Sequence, residues 1–447
     1  MTAPSDLDRF PTLTEAGRAM LQRLREHPSA PRFRNQSGNR LTAAEVEQVL
    51  AFEARTLGAP VPSPGEAPTT WLKEHVERCY RDVPYYRAMG GAPRRLRDVP
   101  TVTRAELSQD IARFVPDTAP LDRLMHFSTS GTTGHPLLIA SHPVVAARYL
   151  TFHKRALRRF GVTLRASTGD VGVALLGYQR RCFTYASVTP TLGESGLVKL
   201  NLHPDDWRAP EDRRKYLEDL APEILSGDPL SLTALLELGA RLTPRAILST
   251  SMALPAGLSA ELSQRFACPV VDLYSLNEAG PVAAFDPALG GHVLLQPELM
   301  VELLDAEGQV VAPGERGEIT LTGGFNFCLP LLRYRTGDYA ALAAGLAEPT
   351  LLGLEGRPPV RFRTPAGAWL NNIEITHALK GLPLRQYQLH QAASGVLTLS
   401  VLGSAEARAG ALAALRALFG PAQAIALTEL VPGEGKITQY STELTDS

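Results

Sequence analysis

The feature that most constrains the fold is an alternation of short apolar runs with helical patterns between residues 171 and 274. Residues 171–176 form a short apolar run, as expected of a buried strand, and two further strands are predicted at 246–248 and 270–274. Between them, Asp228 and Pro229 provide an N-cap and a first turn for a leucine-rich helix to residue 238, and a second helix is predicted over 254–266. Strands that alternate with helices predict a mostly parallel sheet, with ligand sites beyond the carboxyl ends of its strands.

The pattern changes after Met300. Segments 301–304 and 309–311 flank a turn at 306–308, and residues 318–322 alternate like a half-buried strand, which predicts antiparallel pairing. The predicted fold class is therefore α/β (mixed α+β). We expect a large N-terminal domain with mostly parallel sheets flanked by helices plus an antiparallel β region, and a small C-terminal α+β domain.

Proline-rich segments indicate where these domains begin and end. Residues 59–68 contain four prolines in ten residues, which is typical of a stiff linker, and residues 355–359 end in Pro358-Pro359. We predict an N-terminal extension and linker over 1–66, a large domain over 67–355 and a small C-terminal lid domain over 356–447. A capping box at Thr42 and Glu45 predicts a helix within the extension.

Composition argues against several classes of protein. The net charge of −1 among 447 residues gives no global attraction to nucleic acid or to anionic lipid. Four cysteines without a C-x-x-C spacing argue against a disulfide framework and a zinc site. Residues 1–9 are polar and lack the apolar core of a signal peptide, and the sequence has no run of eighteen apolar residues that would predict a membrane span. We expect a cytoplasmic protein that binds neither nucleic acid nor membrane; a homodimer is left open.

A loop at 127–136 is built almost entirely from hydroxyl residues and glycines. Its candidate ligand-binding residues are Ser128, Thr129, Ser130, Gly131, Thr132, Thr133 and Gly134. Glycine lets backbone N–H groups approach a ligand closely, and hydroxyls add rotatable donors, so such a loop suits a phosphate. No Lys-Ser or Lys-Thr follows the second glycine, so it is not a Walker A loop. The alternative is a polar surface turn.

Four further stretches carry polar residues in an order that points to a site. They are Tyr274-Ser275-Leu276-Asn277-Glu278, Leu332-Arg333-Tyr334-Arg335-Thr336-Gly337-Asp338, Gly356-Arg357 and Pro432-Gly433-Glu434-Gly435-Lys436. Glu278 lies just past a predicted strand. Asp338 is expensive to bury unless it is hydrogen-bonded. It either accepts hydrogen bonds from a ligand or caps a turn and pairs with Arg333 or Arg335. The chain contains no G-x-S-x-G, H-E-x-x-H or G-x-G-x-x-G motif, so the hydrolase, zincin and Rossmann readings have no support.

The loop and these four stretches resemble, in order and spacing, the adenylate-forming superfamily and in particular its phenylacetate-CoA ligase branch. Residues 82–86 and 99–103 resemble the segment that leads to the phosphate loop in that branch, so the resemblance covers about residues 70 to 440. The resemblance implies that residues 67–355 form an adenylation domain. Ser275 and Asn277 depart from the family pattern of Gly and Thr, and Pro359 at the hinge leaves the rotation of the lid domain open.

The resemblance also implies residue roles. Residues 128–134 would hold the phosphates of ATP, with Thr132 also catalytic. Tyr274 would pack on adenine and Asn277 would bind the α-phosphate. Glu278 would be catalytic and the Mg²⁺ ligand, and Asp338 would accept the ribose hydroxyls. Arg357 would contact ribose and phosphate, and Lys436 would neutralise charge developing in the transition state.

The implied reaction activates a carboxylic acid with ATP and Mg²⁺ to an acyl-adenylate, and then transfers the acyl group to a thiol, which by family default is CoA. An amine or a carrier protein is an alternative acceptor, and a non-catalytic nucleotide-binding homologue is a third reading. By position, the substrate pocket draws on Tyr178, Phe183, Tyr185, Ser249 and Ser251. The sequence does not predict which acid binds there.

Overall fold

The structure is a computed structural model that describes residues 5–63, 70–128, 137–179, 182–356, 360–379, 381–430 and 438–444. Within them the helices are α1 (Asp6–Arg9), α2 (Glu15–Glu26), α3 (Ala43–Thr56), α4 (Thr70–Asp82), α5 (Pro84–Arg87), α6 (Arg104–Gln109), α7 (Pro143–Arg159), α8 (Asp212–Leu220), α9 (Pro229–Leu238), α10 (Ala256–Phe266), α11 (Asn372–Leu379) and α12 (Ala405–Phe419).

The first strands are β1 (Val102–Thr103), β2 (Met125–Ser128), β3 (Leu138–Ser141), β4 (Val171–Gly177), β5 (Tyr185–Thr189), β6 (Ser195–Asn201), β7 (Ile224–Gly227), β8 (Ala246–Ser249), β9 (Val270–Leu276), β10 (Gly280–Asp286) and β11 (Gly291–Leu294). They are followed by β12 (Leu299–Leu304), β13 (Arg316–Gly323), β14 (Leu331–Leu342), β15 (Thr350–Gly356), β16 (Arg361–Arg363), β17 (Trp369–Asn371), β18 (Gln386–Gln391), β19 (Leu397–Leu402), β20 (Ile425–Glu429) and β21 (Tyr440–Thr442).

A large mixed sheet organises most of the chain. Its order within the described residues is β12-β13-β14-β15-β11-β10-β9-β8-β7-β4-β6-β5, and β1 pairs in parallel with β14. Strands β6, β4, β7, β8 and β9 are parallel neighbours, whereas the pairs from β9 to β12 are antiparallel. The predicted fold class is confirmed.

The carboxyl ends of the parallel strands form one edge. Leu176 pairs with Gly227, Gly227 with Ser249, and Ser249 with Asp272, so β4, β7 and β8 end almost in line and β9 continues beyond them to Leu276. The predicted leucine-rich helix is present as α9, which follows β7 at this edge. Asp228 caps it by accepting a hydrogen bond from Ser231 N at 2.8 Å, and Pro229 occupies its first turn.

Two local predictions differ from the structure. Antiparallel pairing begins at Gly280 rather than after Met300, because Gly280 has a φ of +72° and reverses the chain into a β9–β10 hairpin. Residues 309–311 are not a strand; Val310 makes a single bridge to Leu304.

The ends of the chain pack in different ways. Residues Phe10, Leu21 and Leu24, from the segment predicted as an extension, lie in the same core as the parallel strands. Residues 360–440 contain their own core around Phe362 and their own sheet of order β20-β19-β18-β21. The domain boundaries at 66 and 355 stay predictions. Among the described residues no helix is both long and apolar enough to span a bilayer.

Candidate active site

Glu278 lies in the β9–β10 turn, at the carboxyl edge of the parallel strands. It is 4% exposed. Its Oε1 accepts a hydrogen bond from the Tyr334 hydroxyl at 3.0 Å and forms an ion pair with Arg104 Nη1 at 2.9 Å. Among the residues that the structure describes, no hydrogen bond reaches Oε2. A carboxylate held by one oxygen presents the other to a ligand.

Arg104 reaches Glu278 through local structure that the sequence encodes. Strand β1 pairs with β14 so that Val102 lies beside Tyr334. Thr103 then caps α6 in a capping box with Glu106, which starts the helix at Arg104. The capping pattern was readable in the sequence, but the contact with Glu278 spans 174 residues, so sequence reasoning missed Arg104.

Asn277, next to Glu278, is held from helix α7. The Tyr149 hydroxyl donates to the backbone carbonyl of Asn277 at 3.3 Å. Burial, with a smaller contribution from the negative charge of Glu278, raises the pKa of Tyr149. Tyr149 therefore stays a neutral donor that fixes the turn.

Tyr274 and Asp338 form a pair between β9 and β14. The Tyr274 hydroxyl donates to Asp338 Oδ2 at 2.7 Å, and the backbone N–H of Asp338 donates to Thr336 Oγ1 at 3.0 Å. Burial, followed by the charge of Asp338, raises the pKa of Tyr274 well above its usual value. Arg333 and Arg335, the alternative partners of Asp338, contact the carboxylates of Glu302 and Glu318. The role of Asp338 stays a prediction.

Arg333 is held by Glu302 and by the turn before β1. Its Nε donates to Glu302 Oε2 at 3.1 Å, and its Nη1 donates to the carbonyls of Arg97 and Val99, each at 3.1 Å. Burial raises the pKa of Glu302, and the charge of Arg333 opposes this rise. Arg333 therefore ties β14 to the segment that carries Arg104.

The remaining motif residues secure the β13–β14 pair. Arg335 forms an ion pair with Glu318, and Gly337 N donates to Glu318 Oε1 at 3.0 Å from a backbone with a φ of +79°. The Thr336 hydroxyl donates to the carbonyl of Ile319 at 2.8 Å. Tyr334 and Asp338 are thus the motif residues that meet β9 and its turn, while the other side chains position them.

The predicted pocket residues lie along one stretch of the sheet. Tyr178 follows β4, and Ser249 and Ser251 lie at the end of β8. Strand β7 separates β4 from β8, so the ends of these two strands are about 10 Å apart, which is two inter-strand spacings. Ser249 is fully buried, and its hydroxyl has no hydrogen-bond partner among the residues that the structure describes. Ser251 has a φ of +72°. Tyr185 on β5 is about 19 Å from Ser249 at four spacings, which is wide for one small pocket.

The predicted pocket residues next to β5 are aromatic. Phe183 is 51% exposed and its ring meets that of Tyr185 edge-on at 5.6 Å between centroids. Burial raises the pKa of Tyr185 to about 12. Tyr178 contacts His203, with 5.7 Å between ring centroids. The assignment of these residues to a pocket stays a prediction.

Several predicted site residues lie outside the described residues: Thr129, Ser130, Gly131, Thr132, Thr133, Gly134, Arg357 and Lys436. Ser128 ends β2, which pairs with β3 so that Ser128 lies beside Leu138. Leu137 and Ile139, just after the loop, are buried in the same core as Tyr334.

Comparison with known proteins decides the family. The sequence model of the AMP-binding enzyme family matches residues 96–327, just over half of the chain. The chain belongs to the AMP-binding enzyme family. The match includes Arg104, the loop and Glu278, and ends before the β14 motif.

This AMP-binding enzyme is similar to curated phenylacetate-coenzyme A ligases, as the motifs predicted. It is 25% identical to the one from Aromatoleum evansii over 299 residues, which are 61% of this chain and 64% of the relative. It is 25% identical to the one from Escherichia coli K12 over 309 residues, 63% of this chain and 67% of the relative. The first match therefore spans slightly less than two thirds of the relative's length.

Solved structures agree on the fold. A 2-hydroxyisobutyryl-CoA ligase in the postadenylation state, in complex with R3-HIB-AMP, matches with a TM-score of 0.62 at 17% identity over 90% of each chain. An open conformation of this ligase with 2-HIB-AMP and CoA matches with a TM-score of 0.53 at 15% identity over 84% of this chain and 90% of the other.

The residues around Glu278 fit a magnesium ion. Mg²⁺ is usually bound by one or two carboxylates, with phosphates and water completing its shell. Glu278 supplies one carboxylate oxygen that accepts no hydrogen bond from the described residues, while the Tyr334 hydroxyl and Arg104 fix the other. The described residues contain no group of three or more His, Cys, Asp or Glu side chains suited to a metal.

Proposed function

We propose that this AMP-binding enzyme activates a carboxylic acid with ATP and transfers the acyl group to a thiol, with CoA as the acceptor. In the first step the carboxylate oxygen bonds to the α-phosphorus of ATP and pyrophosphate leaves. In the second step the thiolate sulfur bonds to the acyl carbon and AMP leaves. The names of the relatives, phenylacetate-coenzyme A ligases, support a thioester product rather than an amide.

The observation that carries the proposal is the joining of two family motifs at one edge of the sheet. Tyr334 of β14 holds Glu278, and Tyr274 of β9 holds Asp338, so each motif positions the carboxylate of the other. Two carboxylates fixed in this way suit the two polar ends of a nucleotide. Asp338 is assigned to the ribose hydroxyls and Glu278 to the metal on the phosphates.

Each residue then has a specific task. The Mg²⁺ held at Glu278 would neutralise phosphate charge. Arg104, 2.9 Å from Glu278, adds a fixed positive charge to this end of the site. Asn277 is assigned to the α-phosphate, and Lys436 to the charge that develops as the acid attacks. Positioning and charge neutralisation supply most of the rate in such reactions.

The test is carboxylate-dependent exchange of pyrophosphate into ATP, without CoA, over a panel of aryl, fatty, dicarboxylic and amino acids. We expect exchange with one class of acid, which names the substrate. CoA or amines are added afterwards, and consumption of CoA with release of AMP identifies the acceptor. AMP binding without exchange over the whole panel would favour a non-catalytic homologue, and no nucleotide binding would refute the proposal.

Two further parts of the proposal concern the whole protein. We place it in the cytoplasm, and we keep a homodimer as an alternative to a monomer. Light scattering during gel filtration separates the two states, because a monomer has a mass of 48.3 kDa.

A further inference from the structure

A segment near the N-terminus lies against the loop between β4 and β5. We call residues 32–36 the strap, and we call residues 178–179 and 182–184, the described residues between β4 and β5, the acyl loop. Asn35 N donates to the carbonyl of Thr184 at 3.0 Å, and Thr184 N donates back to Asn35 Oδ1 at 3.1 Å. Arg34 N donates to Thr184 Oγ1 at 3.0 Å. Thr184 is fully buried, so the strap fixes the end of the acyl loop at its junction with β5.

The other end of the acyl loop is fixed by a buried polar chain. Gln179 N donates to Asn201 Oδ1 at 3.1 Å, and Asn201 Nδ2 donates to the carbonyl of Gln179 at 2.6 Å. Asn201 Nδ2 also donates to Asp206 Oδ2 at 2.7 Å. Asn201 and Asp206 are both buried. The position of Gln179 therefore depends on where Asp206 is held.

Arg34 connects the strap to this chain. Its Nε and Nη2 both contact Asp206 Oδ1. The backbone N–H of Arg32 donates to the carbonyl of Asp206 at 2.8 Å. Asp206 is 1% exposed, and a carboxylate buried to this degree is stable only when it is paired and hydrogen-bonded. Arg34 is the cation that pairs with Asp206 among the described residues.

Cys182 of the acyl loop lies against the end of β4. A Cβ atom at Gly177 would lie 2.8 Å from the Cys182 sulfur, so the thiol occupies the space that the glycine leaves. Phe183 is about half exposed beside Tyr185. This loop carries two of the residues assigned to the acid, Tyr178 and Phe183, so its shape determines where they lie.

We propose that Arg34 is a positioning residue for the acyl pocket. By pairing with Asp206 it holds Asn201 and Gln179 at one end of the acyl loop, while the strap holds Thr184 at the other. The inference rests on the proposed function, because it takes the acid as the ligand of this loop. It also gives the N-terminal segment a task that the adenylation motifs do not contain.

The nucleotide end of the site lies on other strands. Glu278 and Asp338 are positioned by β9, β14 and α6, and their contacts involve neither Arg34 nor Asp206. Loss of the Arg34 contact should therefore affect binding of the acid and leave binding of ATP unchanged. A general loss of folding would weaken both.

The experiment compares Arg34→Met with Arg32→Met. Arg32 lies in the same strap and its side chain is exposed without a contact among the described residues, so it is the matched control. Steady-state pyrophosphate exchange gives KM values for the acid and for ATP. We expect Arg34→Met to raise the KM for the acid about ten- to hundredfold, the scale of a displaced binding group. The KM for ATP and both values in Arg32→Met should stay unchanged.

A second measurement does not depend on activity. Hydrogen–deuterium exchange of peptides covering 178–185 should be faster in Arg34→Met than in Arg32→Met, and Arg34→Lys, which keeps the charge, should restore part of the protection. Unchanged exchange in this segment would overturn the positioning role. Faster exchange with an unchanged KM for the acid would overturn the link to the acid. Absence of pyrophosphate exchange by the unaltered protein with every acid would overturn the proposed function, and deuterium exchange would still decide whether Arg34 positions the loop.

Discussion

Replacing Asp338 tests the assignment of the nucleotide site most directly. Asp338 Oδ2 accepts from the Tyr274 hydroxyl at 2.7 Å, so this carboxylate is already oriented before a nucleotide binds. We assign its remaining acceptor positions to the ribose hydroxyls. Asp338→Ala removes these acceptors and leaves two ribose donors without partners in the bound state.

The expected magnitude follows from the hydrogen bonds lost. Bonds to a charged acceptor contribute about 1.5–3 kcal/mol each, and leaving a donor unpaired costs about 1–3 kcal/mol. Part of this cost is recovered where water reaches the ribose, so we expect a net loss of about 1–3 kcal/mol. This corresponds to a Kd for ATP or AMP that is roughly 5- to 150-fold higher. Isothermal titration calorimetry of both nucleotides measures it.

Tyr274→Phe is the matched control, because it removes the hydroxyl that orients Asp338 and keeps the ring. We expect this variant to weaken binding by less than Asp338→Ala, since the carboxylate remains. An unchanged Kd in Asp338→Ala would remove Asp338 from the nucleotide site. Equal losses in the two variants would show that the Tyr274–Asp338 pair acts through the architecture of β9 and β14 rather than through contact with the ribose.

Three other predictions concern charge. Lys436→Ala should abolish acid-dependent pyrophosphate exchange and leave the Kd for ATP within about twofold, because we assign Lys436 to the charge of the transition state; exchange at the unaltered rate would contradict this assignment. Arg104→Met should lower the Mg²⁺ concentration for half-maximal exchange about two- to tenfold, since a positive charge 2.9 Å from Glu278 repels a second cation; an equal or higher requirement would refute it. Burial raises the pKa of Glu302, so its contribution to the free energy of unfolding is present at low pH and is lost as pH rises through the raised pKa. Denaturant unfolding gives the difference in free energy of unfolding between the unaltered protein and Glu302→Gln, and we expect this difference to change between about pH 4 and pH 7. A difference independent of pH would contradict the prediction.

The fold was predictable where local pattern and burial coincide. The strands at 171–176 and 270–274 were predicted correctly. The first of them reads as a continuous apolar run because most of its residues are buried in the parallel sheet. Phe10 and Leu24 were not placed in the core of the parallel sheet, because a local pattern does not reveal which distant strand covers it. The early reversal at Gly280 depends on a backbone conformation that a single glycine in the sequence does not specify.

The candidate site was predictable only as separate motifs. The sequence pointed to Glu278 and Asp338, but their partners Tyr334 and Tyr274 were assigned other roles or none. The hydroxyl of Tyr274 contacts Asp338 across 64 residues, and that of Tyr334 contacts Glu278 across 56 residues. β9 and β14 are not neighbours in the sheet and meet through side chains. Pairs of this kind therefore become visible only in the folded structure.

Most residues of the motif on β14 stabilise the local structure. In the stretch from Arg333 to Asp338, Arg333 satisfies buried carbonyls and Glu302, while Arg335 and Gly337 satisfy Glu318. A chain that keeps these residues keeps the geometry of the nucleotide end, whichever acid it binds. The acyl loop has no such motif, and its ends are held by the strap and by Asp206. Under the proposed function, we therefore expect changes in residues 32–36 and 178–184 to alter the selectivity for the acid without disturbing the strands that carry Glu278 and Asp338. The motifs leave the identity of the acid open for the same reason.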